Sequence, residues 1–186
     1  MGLKINLGCG LKKEEGMVNV DIDPDVLPDV CHNLEHTPLP FSNGSAELVY
    51  AGHVIEHVYN WIALMKDIHR VLEVGGKLVV KIPEYPCRLC FTDPTHIQHF
   101  VLENFMFFSN PKWFSETRFS GKGLFKVISV VRTKWKFPQE TNGDIGSHLT
   151  ELHIELEKVG SDYKWEDSVS LQIMEKIVEK EKYGKL

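Results

Sequence analysis

Two periodicities share the first eighty residues. Apolar Leu3, Ile5 and Leu7 recur at every second position and predict a strand over 3–7. Met17-Val18-Asn19-Val20 predicts a second strand closing at Asp21. Two more are expected at 47–51 and 77–82, with a short one near 29–31. Between the last two long strands the spacing becomes helical. Trp61, Leu64, Met65, Ile68, Val71 and Leu72 share one face, so a helix is expected over 60–73, stopped by Gly75-Gly76. Strands that alternate with helical runs argue for an α/β fold with a parallel sheet.

The pattern changes after residue 83. Residues 84–123 are rich in Pro, Gly and aromatics, and a short helix is expected near 101–109. Segments 125–137 and 149–158 read as two further long strands; Leu152, Ile154, Leu156 and Lys158 alternate with polar or charged neighbours. Leu171, Met174, Ile177 and Val178 fall on one helical face, which predicts an amphipathic helix over 167–183. The expected organisation is a single domain over 1–186. Within it, 84–123 is a substrate-side insertion or lid and 160–186 a helical tail.

Composition narrows the class. Hydrophobic residues make up 42% of the chain and charged residues 25%, as in a soluble globular protein. No apolar run approaches the roughly 18 residues of a membrane span. No signal-peptide pattern opens the chain, and the four cysteines are expected to be reduced, so a cytoplasmic setting is expected. Between Lys13 and Lys66 there is no Lys or Arg. The same stretch holds Glu14, Glu15, Asp21, Asp23, Asp25, Asp29, Glu35, Glu47 and Glu56. Residues 112–136 reverse this with Lys112, Arg118, Lys122, Lys126, Arg132, Lys134 and Lys136. That basic stretch is either a face for an anionic substrate or a solvated strand face, since 126, 132, 134 and 136 share parity. One basic segment is too little for a nucleic-acid surface, so a small-molecule ligand is expected.

The chemistry starts at the end of the first strand. Gly8-Cys9-Gly10 breaks the apolar run, and Asp21 ends the next strand eleven residues after Gly10. Glycine lets a ligand approach the backbone closely, and an acid beside such a turn suits a ribose diol. The dinucleotide fingerprint needs a third glycine at position 13 and an acid about 20 residues on. Position 13 is Lys13 and the acid comes early, so a pyrophosphate fits poorly. An acidic first half suits a cationic ligand better than a pyrophosphate. Too few residues separate the two strands for a full crossover helix.

Asn6-Leu7-Gly8-Cys9-Gly10 resembles the first motif of the class I S-adenosylmethionine-dependent methyltransferases, acid-x-Gly-x-Gly-x-Gly. Asn6 stands for the acid, Lys12 for the third glycine, and the first helix is missing. The resemblance continues in order through Pro38-Leu39-Pro40-Phe41, Ala46–Ala51, His53-Val54-Ile55-Glu56-His57-Val58 and residues 64–83. It implies a Rossmann-like, mostly parallel sheet with helices on both faces, an antiparallel final strand and a shortened first crossover. It implies S-adenosylmethionine as cofactor. Asn6, Gly8, Cys9 and Gly10 would then face the methionine end, with Asp21, backed by Asp23, on the ribose. Asn33 and Leu34 would meet adenine, and the turn at Ala51-Gly52 its amino group. The expected reaction is methyl transfer to an oxygen or nitrogen of a small-molecule or sugar-type acceptor. The alternative is a protein that binds the cofactor without turnover, motivated by the altered first motif.

An acceptor that must lose a proton needs a base, and His53 and His57 are the candidates. Tyr85, Asp93, His96 and His99 are expected to reach the acceptor, because 84–123 follows the C-terminal end of a central strand. Two metal patterns overlap this region. His53-x-x-Glu56-His57 matches the inverted zinc-peptidase pattern, and it is similar to the Glu-x-x-Glu-His of certain metal-assisted O-methyltransferases. Cys87-x-x-Cys90 followed by His96-x-x-His99 has zinc-type residues at unusually short spacing. The expectation is a site without metal, with metal-assisted O-methylation as the alternative.

Overall fold

The computed structural model describes residues 2–109, 124–136, 148–163 and 177–183. Strands β1 (Leu3–Leu7), β2 (Val18–Asp21), β3 (Val30–Cys31), β4 (Ala46–Gly52) and β5 (Leu72–Pro83) pair in parallel. Strands β6 (Phe125–Lys136), β7 (His148–Lys158) and β8 (Ile177–Tyr183) complete an eight-stranded sheet ordered β3-β2-β1-β4-β5-β7-β6-β8. β7 runs antiparallel to both β5 and β6. The α/β class and the mostly parallel sheet are as the alternating pattern predicts. Among the described residues, one helix exceeds five residues, α1 (Trp61–Val71); α2 (Leu89–Thr92) and α3 (Leu102–Met106) are short.

α1 forms because its apolar positions make one stripe. Leu64, Met65, Ile68 and Val71 are fully buried. Asp67 on the same side accepts the Leu39 amide, and Arg70 donates to the carbonyls of Leu39 and Phe41. The helix thus also fixes the loop before β4. It ends at Val71, before Gly75-Gly76, because Leu72 already takes an extended conformation and starts β5. The glycines instead make a bulge: the β4–β5 register jumps between Ala46↔Leu72 and Leu48↔Lys77. A Cβ on Gly76 would stand 2.9 Å from the Glu73 carbonyl oxygen and 3.0 Å from that of Ala46, so the bulge needs glycine there.

The expected tail helix over 167–183 is corrected at its end. Residues 177–183 form β8, parallel to β6, and 164–176 lie outside the described residues. The Ile177-Val178 pair fits a helical stripe in sequence. The open edge of β6 offers unpaired backbone groups and a row of basic side chains. β8 brings Glu179 opposite Arg132 and Glu181 opposite Lys134. A bulge between Val127 and Ser129 breaks the basic parity on β6, so Lys126 lies on the opposite face from Arg132 and Lys134, and each meets an acid. Lys126 pairs with Glu157, Arg132 with Glu84 and Lys134 with Glu179.

The first crossover, residues 8–17, contains no helix. Side-chain amides close it instead. Asn6 and Asn19 face each other in register on β1 and β2 and are 2% and 6% exposed. Asn6 Nδ2 donates to Asn19 Oδ1 at 2.9 Å and to the Lys12 carbonyl at 3.2 Å. Asn19 Oδ1 also accepts the Glu14 amide, and its Nδ2 reaches the Glu14 and Met17 carbonyls and Asp29. Asn19→Ala should cost about 2–3 kcal/mol, since buried partners lose their bonds at once. Asn6→Ala should overlap with it in a double-mutant cycle measured by urea unfolding. Full additivity would show that the two amides are not one network.

Candidate active site

In a parallel sheet the ligand crevice lies beyond the C-terminal strand ends, where the strand order reverses. Here the reversal falls between β1 and β4. The loops after these strands touch: a Cβ on Gly8 would stand 2.3 Å from Val54 Cγ2, and Gly8 has φ +62°. Gly8 is thus required by the packing of one loop against the other. Gly10 also has positive φ, +49°, but a Cβ there would meet nothing within 4 Å. The loop is open at Gly10, and that opening fits a cofactor lying against the backbone.

Asp21 stands beside this opening. Its Oδ2 accepts the Gly10 amide at 2.7 Å, and Oδ1 accepts the Asp23 amide at 3.0 Å. Each carboxylate oxygen keeps a further lone pair for a hydroxyl. The Cys9 amide is tied to the Val20 carbonyl, and burial pushes the Cys9 thiol up from its ordinary range. Asp23 turns away, accepting the Asp25 amide at the start of a 3-10 turn. Asn6 is committed to the crossover network. The loop after β3 is pinned to β2 by the His32 amide on the Asp21 carbonyl. In it Asn33 Oδ1 accepts the Glu35 amide, while Leu34 is buried. Ala51 is fully buried in β4, and Gly52 lies under the Tyr50 hydroxyl.

The turn after β4 holds the histidines. His53 has φ +54°, a left-handed conformation uncommon outside glycine. Its Nε2 meets Glu151 Oε2 on β7 at 2.9 Å, and its Nδ1 lies 3.5 Å from Glu56 Oε1. The Glu151 hydrogen bond first, and then Glu56, raise its pKa from 6.5 to about 9. At neutral pH His53 is therefore a cation between two carboxylates, not a base with a free lone pair. His57 is different. Its Nδ1 lies 2.9 Å from Thr95 Oγ1 and 3.2 Å from the Thr95 carbonyl. A carbonyl only accepts, and the Thr95 hydroxyl donates to Asp93 at 2.6 Å, so Nδ1 carries the hydrogen. In the neutral ring the lone pair sits on Nε2.

The insertion divides the expected acceptor residues. Asp93 caps Thr95, whose two hydrogen bonds lower its pKa, so it positions His57 through Thr95. His96 is turned inward, its ring 4.7 Å from that of His57. Tyr85 and Phe91 are exposed, and His99 stacks on Phe91 at 4.6 Å. Phe100 and Phe108 instead pack on Trp61 as core; Trp113 and Phe114 lie outside the described residues. Cys87 and Cys90 are a buried pair with sulfurs 3.6 Å apart. Among the described residues, the groups close enough to share an ion are Glu56, His57 and His96. The Cys-Cys-His-His set is not brought together, nor is the pair of histidines that peptidase chemistry would need.

Sequence reasoning missed Thr95 and Glu151. Asp93-Pro94-Thr95 carries a local turn signal, whereas Glu151 is 98 residues from His53 and announces nothing.

Comparison with known proteins agrees with this geometry. Residues 8–80 match the family model described as a methyltransferase domain. No curated protein sequence matches the chain significantly. Among solved structures, the chain is similar to a putative methyltransferase from Bacillus halodurans C-125, with TM-score 0.60, 14% identity and coverage of 86% of this chain and 94% of that one. A SAM-dependent methyltransferase from Archaeoglobus fulgidus gives TM-score 0.59, 15% identity and coverage of 84% and 86%. A possible histamine N-methyltransferase from Thermotoga maritima gives 0.58, 17%, 85% and 82%. The family match over residues 8–80, the sheet order and the Gly8–Asp21 corner together support a class I S-adenosylmethionine-dependent methyltransferase. No helix among the described residues is long and apolar enough to cross a membrane.

The His53 pair makes stability depend on pH with a definite sign. The folded pKa is raised, so its contribution is complete below about 6.5 and is lost as pH rises through about 9. Glu151→Gln should flatten the fall in stability over that window. An NMR titration giving His53 an ordinary value would contradict the assignment.

Proposed function

We propose that this methyltransferase acts on an oxygen or nitrogen of a small-molecule or sugar-type acceptor, held where the turn after β4 meets the 85–99 segment. S-adenosylmethionine supplies an electrophilic methyl group and its own leaving group. The protein then has to hold the acceptor in line and take up a proton. The observation that carries this reading is the Asp93–Thr95–His57 relay, which fixes one tautomer and leaves the Nε2 lone pair for the acceptor's proton. His57 is the proposed base; His53, already protonated between Glu56 and Glu151, holds the turn.

Acceptor size and type follow from the surroundings. Tyr85, Phe91 and His99 form an exposed aromatic platform suited to a ring or the apolar face of a sugar. The basic residues of β6 that are described already face acids, which supports a small acceptor over nucleic acid. Asp21 is the proposed ribose ligand. The Gly10 corner, Asn33 and Leu34 would line the remainder of the cofactor. Asn6, Cys9 and Asp23 serve the loop's own hydrogen bonds and shape that pocket from behind. Four free cysteines support the expected cytoplasmic setting.

Calorimetry and a screen of phenol, amine and sugar acceptors test both halves. Asp21→Ala should weaken S-adenosylmethionine by roughly 1.5–3 kcal/mol, the worth of charge-assisted hydrogen bonds. His57→Ala should slow transfer by roughly 10²–10⁴-fold and leave cofactor affinity intact. Unchanged affinity in Asp21→Ala, or tighter binding of NAD, would overturn the cofactor half. An undiminished rate in His57→Ala would overturn the other.

A further inference from the structure

We propose that Glu56, His57 and His96 form a binding site for one divalent ion of the zinc or manganese type. The starting observation is an orphaned carboxylate. Glu56 is 1% exposed, and neither of its oxygens has a hydrogen-bond partner. Its nearest basic side-chain atoms stand off, His53 Nδ1 at 3.5 Å and His96 Nε2 at 4.0 Å from Oε1. A buried carboxylate whose oxygens accept no hydrogen bond is unfavourable; the His53 cation at 3.5 Å offsets part of that cost, and Oε2 keeps no partner.

One nitrogen from each of two histidines lies within reach of Glu56. The His96 side chain is 9% exposed, and its buried Nδ1 has no partner. His57 keeps a lone pair on Nε2 because Thr95 and Asp93 hold its Nδ1 hydrogen. One donor atom from each of the three residues lies within 4.8 Å of the other two. An ion with bonds of about 2.0–2.2 Å spans donors roughly 3–4 Å apart, so a small contraction closes the set. Two imidazoles and a carboxylate suit a borderline transition ion better than magnesium or calcium, which take oxygen ligands.

The supporting shell is already built. The amides of Ile97 and Gln98 both donate to the Glu56 carbonyl at 3.1 Å, which locks the His96 segment onto the turn carrying Glu56. Thr95 and Asp93 orient His57 through its second nitrogen, as hydrogen-bonded partners of metal-bound histidines do. His53 stays outside the set, with its Nε2 on Glu151.

The ion site goes beyond the methyl-transfer reading, because it needs neither cofactor nor acceptor to fill. Ion and proton compete for the same His57 lone pair. With the ion in place, an acceptor oxygen would be polarised by the ion, and its proton would leave to solvent.

The test uses the purified full chain, stripped with a chelator and titrated calorimetrically with ZnCl₂ and separately with MnCl₂. One ion per chain is expected. Glu56→Gln and His96→Gln should each weaken it by about 10–100-fold or more. The Cys87→Ser/Cys90→Ser double variant should leave affinity unchanged. Each variant's retained binding of S-adenosylhomocysteine shows that it folds and keeps this outcome separate from the cofactor assignment. On wild-type protein, electron spin-echo spectra of bound Mn²⁺ should show imidazole nitrogen coupling, which needs no variant. Absence of saturable ion binding, indifference to both substitutions, loss in the cysteine variant, or a spectrum without nitrogen coupling would each overturn the proposal.

Discussion

Two parallel strands joined by a short crossover have to be held in register without a helix. In this chain the buried Asn6–Asn19 amide pair does that work. A crossover of a dozen or more residues normally places a helix against the sheet and satisfies its own backbone. Residues 8–17 have no such helix, so their amides and carbonyls find partners on two asparagine side chains, and Asp29 in turn holds Asn19. The same network explains why Asn6 stands where related first motifs have an acid. An amide can donate to Asn19 Oδ1 and to the Lys12 carbonyl, which a carboxylate cannot.

That constraint sets the site. With the crossover drawn in, Gly8 packs directly on Val54, and the loops after β1 and β4 become one surface. On one side, Gly10 and Asp21 leave an opening for the cofactor. On the other, the turn through His53, Glu56 and His57 is held by Glu151 on β7 and by the 95–98 backbone. Buried charge and left-handed backbone gather at this turn, the places where a fold stores unfavourable terms for function.

Much of this was legible from local pattern. β1, β2, β4 and α1 show their periods plainly, and Asp21 is marked by the strand that delivers it. Asp21 and Gly10 come together because strand pairing is parallel and close. The pattern misled where a distant partner decided the outcome. Ile177-Val178 fits a helical stripe, yet the edge of β6 and its basic side chains make residues 177–183 a strand. His53 looked like a base until Glu151, on a strand with no local link to it, made it a cation. The 93–99 segment has neither period. That His96 turns inward while His99 stacks outside on Phe91 is decided by backbone bonds to Glu56 and cannot be read from spacing.

The central claim is that the cofactor lies across the corner where β1 and β2 end. Backbone amide NMR during titration with S-adenosylhomocysteine tests it most directly. The account predicts that Gly8, Gly10, Asp21 and Asn33 shift first and most, while Leu156 on β7 stays still. Saturable binding that leaves those four amides unmoved would contradict it.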